Sequence, residues 1–142
     1  MSAVGLEGIE RSVQQTHRWI NELDERLGWN NKHRSYRLLG VVLQTLRDWL
    51  SVNEAADLAA QLPSLLRGVY YEHWRPARTP VRDGGFNGFL ASVDRAFRKD
   101  PIDDTGKAVA TVFRLLSEKV TGGEIDDVRQ SLPRDIRALW AA

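Results

Sequence analysis

Apolar residues return every three or four places along most of the chain, and that spacing predicts helices. Thr16, Ile20, Leu23 and Leu27, with Trp19 beside them, predict a first helix that Gly28 ends in a left-handed residue. Asn30 or Asn31 is placed to cap a second helix, which carries Tyr36, Leu39, Leu43, Leu46 and Leu50. Val42 and Trp49 widen that stripe, so this helix is expected to be buried on more than one side. Ser51-Val-Asn-Glu54 has the form of a capping box and opens a short helix through Ala55, Leu58 and Leu62. Pro63 has no N–H to give, so a bend is expected there, with a fourth helix through Leu66, Val69 and Tyr70. Upstream, Gly5 and Gly8 predict a loose start whose Leu6 and Ile9 tuck against the body. No segment alternates apolar and polar residues, so no sheet is expected.

One clear break interrupts the pattern. Trp74-Arg-Pro-Ala-Arg-Thr-Pro-Val-Arg-Asp-Gly-Gly85 holds two prolines and a glycine pair, the composition of a linker. Beyond it the pattern restarts. Pro133 follows Pro63 by 70 residues, and the same offset carries Thr16, Ile20, Leu23 and Leu27 onto Phe86, Leu90, Val93 and Phe97. It carries Leu39, Leu43, Leu46 and Leu50 onto Val109, Phe113, Leu116 and Val120. Ser51 and Glu54 map to Thr121 and Glu124, a second capping box; Asp57, Arg67 and Tyr70 map to Asp127, Arg137 and Trp140. The expected fold is therefore all-α, a tandem duplication of a four-helix unit packed into one compact helical domain over 1–142. The first repeat spans 13–74, the linker 75–84 and the second repeat 85–142. A unit of about 60 residues buries too little of its surface to stand alone, so the copies are expected to share an interface about a pseudo-twofold axis.

Composition narrows the chemistry. Lys plus Arg number 20 against 19 Asp plus Glu, so no bulk charge draws the chain to nucleic acid or anionic lipid. Cysteine is absent, which excludes disulfides, thiolate metal sites and cysteine nucleophiles. The N-terminal stretch lacks the basic flank and apolar run of a signal peptide, and no run of about 18 apolar residues could span a membrane. The cytoplasm is the expected location.

The stretch Gln61-Leu-Pro-Ser-Leu-Leu-Arg-Gly-Val-Tyr-Tyr-Glu-His-Trp-Arg-Pro76 closely resembles the signature of a bacterial family, domain of unknown function 2267. Leu46-Arg-Asp-Trp-Leu-Ser-Val-Asn-Glu-Ala-Ala-Asp-Leu-Ala-Ala60 and Gly123-Glu-Ile-Asp-Asp-Val-Arg-Gln-Ser-Leu-Pro133 fit the same family. The resemblance implies a small, cytoplasmic, bacterial all-α protein and carries over no catalytic residue. His73 stands where the family's Tyr-Tyr-Glu-Gly-Trp has glycine, which suggests a position under no strict chemical demand.

Candidate chemistry is sparse. His17, His33 and His73 share no helical ligand spacing, and no His-Glu-x-x-His occurs, so neither a metal nor another cofactor is expected. No nucleophile motif occurs and no catalytic residue is assigned. Glu54 and Asp57 share a helical face, as do Glu124 and Asp127. They read as structural: caps and first-turn acids, with Arg67 and Arg137 as candidate partners and Pro63 and Pro133 as helix starts. Tyr70, Tyr71, His73, Trp74, Arg75, Arg78 and Arg82 form an aromatic and basic cluster, whereas Trp140 is followed by no basic run. Three uses fit it. Tyr71, Trp74, Arg75 and Arg78 suit a surface for a partner protein or a second copy. Arg75, Arg78 and Arg82 could bind nucleic acid. Alternatively Tyr70 and Trp74 pack between the repeats and the arginines solvate the linker. The expected role is a non-catalytic helical interaction module, with a nucleic-acid-binding accessory protein as the alternative.

Overall fold

The computed structural model describes residues 2–141, with side chains from Leu6 to Trp140. It is built of helices α1 (Ser2–Leu27), α2 (Lys32–Trp49), α3 (Val52–Ala59), α4 (Ser64–Tyr71), α5 (Gly85–Ala96), α6 (Thr105–Lys119), α7 (Gly122–Ser131) and α8 (Arg134–Ala141). A short 3-10 turn covers Pro76–Arg78, and no strand occurs among the described residues.

Helix ends fall where local chemistry puts them. Gly28 takes φ 68 and its N–H closes on Asp24 O at 3.0 Å. Asn31 caps α2, accepting from Arg34 N at 3.0 Å. Buried Asp24 ties the two helices together, accepting from Asn31 N at 3.0 Å and Ser35 Oγ at 2.6 Å. Asp104 caps α6 in the same way as Asn31 caps α2, accepting from Lys107 N at 3.0 Å. Ser51 Oγ accepts from Glu54 N at 3.2 Å. The expected second capping box does not form: Thr121 makes no side-chain cap bond, and its N–H donates to Gln61 Oε1 at 3.4 Å.

Helices α2 and α6 form the centre, buried on more than one side. Helix α1 packs on α2, α4 and α6; α5 packs on α2, α6 and α8; α3 lies against α7. The core is continuous across the molecule. An aromatic chain runs from Trp49 to Phe89 (5.8 Å between ring centroids), on to Phe113 (6.0 Å) and then Trp140 (3.9 Å, stacked). Its members come from α2, α5, α6 and α8, so neither end of the chain closes a core without the other.

The N-terminus departs from expectation. It is helical rather than loose, and Leu6 and Ile9 are 59% and 63% exposed instead of tucked in. The bundle reaches α1 only at Ser12, whose Oγ accepts from Leu65 N at 2.7 Å.

Candidate functional site

Three places could carry function. The first follows α4. Arg47, 3% exposed, donates through Nη1 to Tyr70 O and Glu72 O, both at 2.7 Å, and so fixes the end of α4. Beyond that anchor, Tyr71 stacks on Trp74 with ring centroids 5.3 Å apart. Both rings are half-buried, and the Trp74 indole nitrogen is buried with no partner among the described residues. His73 between them takes φ 62, a left-handed backbone that turns the chain so the rings can meet. Arg75 and Arg78 are exposed and make no side-chain hydrogen bond or ion pair among the described residues.

Two other members of the sequence cluster belong elsewhere. Tyr70 is fully buried and donates its hydroxyl to Ala55 O at 2.9 Å; burial pushes its phenol far above the ordinary range. Arg82 is committed. Its guanidinium donates to Trp49 O at 2.6 Å and Ser131 O at 3.1 Å, and lies 5.6 Å from the Trp49 ring. With Val81 N donating to Asp48 O at 2.7 Å, it clamps the connecting segment to α2 and α7.

The second place is the α3–α7 contact. Here the structure brings together Glu54, Asp57, Glu124 and Asp127, which sequence reading assigned to separate helix starts. Glu54 Oε2 and Glu124 Oε2 are both buried without a hydrogen-bond partner among the described residues. Desolvation, then the neighbouring carboxylates Glu54, Asp57 and Asp127, push the Glu124 carboxyl up to about 7. Glu54 is raised by desolvation and then by Asp127 and Asp57. The expected arginine partners are not there. Arg67 donates to Ala59 O at 2.9 Å and Leu62 O at 3.1 Å, and Arg137 to Leu132 O at 3.0 Å. Each guanidinium serves carbonyls left open where Pro63 or Pro133 breaks the helix ladder. Arg67 and Arg137 are therefore corrected from carboxylate partners to helix-end clamps. No group of three metal-ligating side chains among the described residues is arranged to hold an ion. Duplicated acids at a 70-residue offset were the available signal.

The third place is a cleft of about 400 Å³ between the α1–α2 turn and the α5–α6 loop, lined by Arg26, Trp29, Arg34, Ile102 and Lys107 among others. Its two arginines are engaged. Arg34 lies 4.2 Å over the Trp29 ring and donates to Asp100 O at 2.8 Å, and Arg26 forms a two-pronged pair with Glu118 at 2.6 and 2.8 Å. Arg37 Nη1 and Arg34 Nε donate to Asp100 Oδ2 at 3.0 and 3.3 Å and hold its carboxyl below the usual range, as the Arg26 pair holds that of Glu118.

No helix among the described residues is long and apolar enough to cross a membrane. A comparison with curated proteins found no match. The model of one family, described as an uncharacterized conserved protein (DUF2267), matches residues 16–139, and the chain belongs to that family.

Proposed function

We propose that this protein is a non-catalytic helical interaction module of the bacterial cytoplasm, engaging a partner protein through Tyr71, Trp74, Arg75 and Arg78. The observation that carries the reading is the stacked Tyr71–Trp74 pair beside two exposed arginines with no internal partner. Tyr, Trp and Arg are the side chains that most often dominate interface energetics. The segment is held from behind by Arg47, so its rings are presented without the entropy cost of a floppy loop. Nucleic-acid binding fares less well: the clamp on Arg82 leaves two free arginines in this cluster, on a chain of net charge +1.

We also propose that the bundle arose by tandem duplication of a four-helix unit, 13–74 and 85–142, joined by 75–84. Several observations support it. Helices α3 and α4 begin 70 residues before α7 and α8. Leu38, Leu39, Val42, Leu43 and Leu46 are buried, as are Ala108, Val109, Val112, Phe113 and Leu116. Arg67 and Arg137 each donate Nη2 to the carbonyl just before the proline. Exchanging α1–α4 for α5–α8 turns the α1–α6 contact into α2–α5, α1–α4 into α5–α8, and α3–α7 into itself.

The test is capture of partners from the native cell extract by immobilised wild type and by Trp74→Ala with Arg75→Ala. A partner lost with the variant is the expected result. Equal recovery of every partner overturns the surface, and binding that collapses as salt rises would transfer it to nucleic acid.

A further inference from the structure

The N-terminal half of α1 takes no part in the Tyr71–Trp74 surface. Helix α1 has 26 residues against 12 in α5, and Leu6 to Arg11 all lie exposed, ahead of its first bond to the bundle at Ser12. At 100° per residue, Leu6, Ile9, Val13 and Ile20 fall on one stripe. The stripe begins on this free arm and runs into a groove of about 350 Å³ whose walls include Val13, Ile20, Tyr36 and Leu65. Leu65 is itself 37% exposed. His17, Lys32 and His33 stand around the same groove.

We propose that a second copy of this chain fills that groove, with two α1 helices packed antiparallel about a twofold axis at Val13. A twofold interface must be self-complementary, and this stripe is. Leu6 and Ile20 each lie seven residues from Val13, so the exposed Leu6 of one copy meets the groove residue Ile20 of the other, twice over. Ile9 and His17 each lie four residues away, so Ile9 covers the flank of His17. Charge agrees with this register. Glu10 lies on the same flank of α1 as His17 and reaches the second copy beside His17, at the rim that Lys32 and His33 share. The acidic flank of the arm therefore meets the basic rim of the groove. This surface shares no residue with the Tyr71–Trp74 segment, so it does not rest on the interaction proposed there.

The test is sedimentation of the full chain across the micromolar to submillimolar range, with far-UV circular dichroism as the folding control. Wild type is expected to show a concentration-dependent dimer. Leu6→Glu with Ile9→Glu, at two exposed positions, is expected to weaken it roughly 100-fold while helicity stays intact. Glu10→Lys and Lys32→Glu are each expected to weaken it about fivefold, and their combination to restore it. A protomer mass throughout the range overturns the proposal. So does a dimer that survives Leu6→Glu with Ile9→Glu, or one abolished by Trp74→Ala instead.

Discussion

Arg47 and Ser117 stand 70 residues apart, near the ends of α2 and α6, and face the ends of α4 and α8. Their places in the helix order match; their burial and their work do not, since Arg47 is buried and Ser117 exposed. Arg47 holds backbone, the carbonyls of Tyr70 and Glu72. Ser117 holds a side chain, accepting the Trp140 indole N–H at 2.6 Å. The aromatic residues diverge in step: Tyr70 donates to Ala55 O, whereas Trp140 stacks on Phe113 at 3.9 Å. In the first half a buried guanidinium organises the chain beyond the helix, where Tyr71 and Trp74 stack. In the second half an exposed residue's hydroxyl only holds the Trp140 ring at the edge of the core. Apolar positions are interchangeable between the halves because burial asks only for size and shape. Arg47 and Ser117 differ because each answers a different local vacancy.

The largest effect should come from removing the organiser. Arg47→Met leaves the buried Tyr70 carbonyl and the part-buried Glu72 carbonyl without this donor and should cost about 3 kcal/mol, roughly 10 °C in Tm. Ser117→Ala strands one indole N–H and should cost about 1 kcal/mol. Thermal melts of both variants check the pair. Equal losses would mean that Arg47 does no more for its half than a hydroxyl does for the other. Arg47→Met should also lower the near-UV signal of the Tyr71–Trp74 stack, which Ser117→Ala should leave alone.

The α3–α7 contact offers the next effect, because there the halves meet rather than differ. The Glu124 carboxyl is raised from its ordinary 4.5 to about 7, so between those values the folded chain holds a proton that the unfolded chain has lost. Stability therefore falls as pH rises through that window, and the cost is fully present above it. Glu124→Gln removes the titration. At pH 8 the variant should be more stable than wild type by on the order of 1 kcal/mol, a figure discounted for solvent screening. Near pH 4 the difference should vanish. Glu54→Gln should act in the same direction. The double variant should gain less than the sum, since Glu54 is one of the carboxylates that raise Glu124. Urea titrations at both pH values decide it, and an unchanged pH profile in Glu124→Gln would dissolve the cluster.

How much of this was legible in the sequence depends on the range over which each feature is decided. Helix stripes, the Gly28 terminus and the Asn31 cap are settled within a few residues, and periodicity reads them. The convergence of Glu54 with Glu124 is settled by how α3 meets α7, which local spacing does not encode. Arg67 misled for a related reason. A guanidinium and a carboxylate in the same segment suggest a pair, but the carbonyls opened by Pro63 lie closer and accept the same protons. Leu6 and Ile9 misled because a stripe says which face of α1 is apolar and not what covers it. The free rings and arginines of 71–78 were visible as residue types. Only the fold separates Arg75 and Arg78 from the committed Arg82.

The smallest effect concerns His73. Family resemblance places glycine here, and a side chain in its place suggested a tolerant position. The backbone shows the demand that glycine would meet: φ is 62, where an L side chain costs about 1 kcal/mol. Gly28, at φ 68, occupies the same region without that cost. His73→Gly should therefore stabilise the protein, by about 0.5 kcal/mol once the greater freedom of glycine in the unfolded chain is set against the relieved strain. His73→Val should destabilise it, because a β-branched side chain suits this region least. Chemical denaturation resolves both signs. If His73→Gly destabilises, the imidazole holds the Tyr71–Trp74 turn by contacts that outweigh its backbone strain, and the position belongs to the candidate surface rather than to the scaffold beneath it.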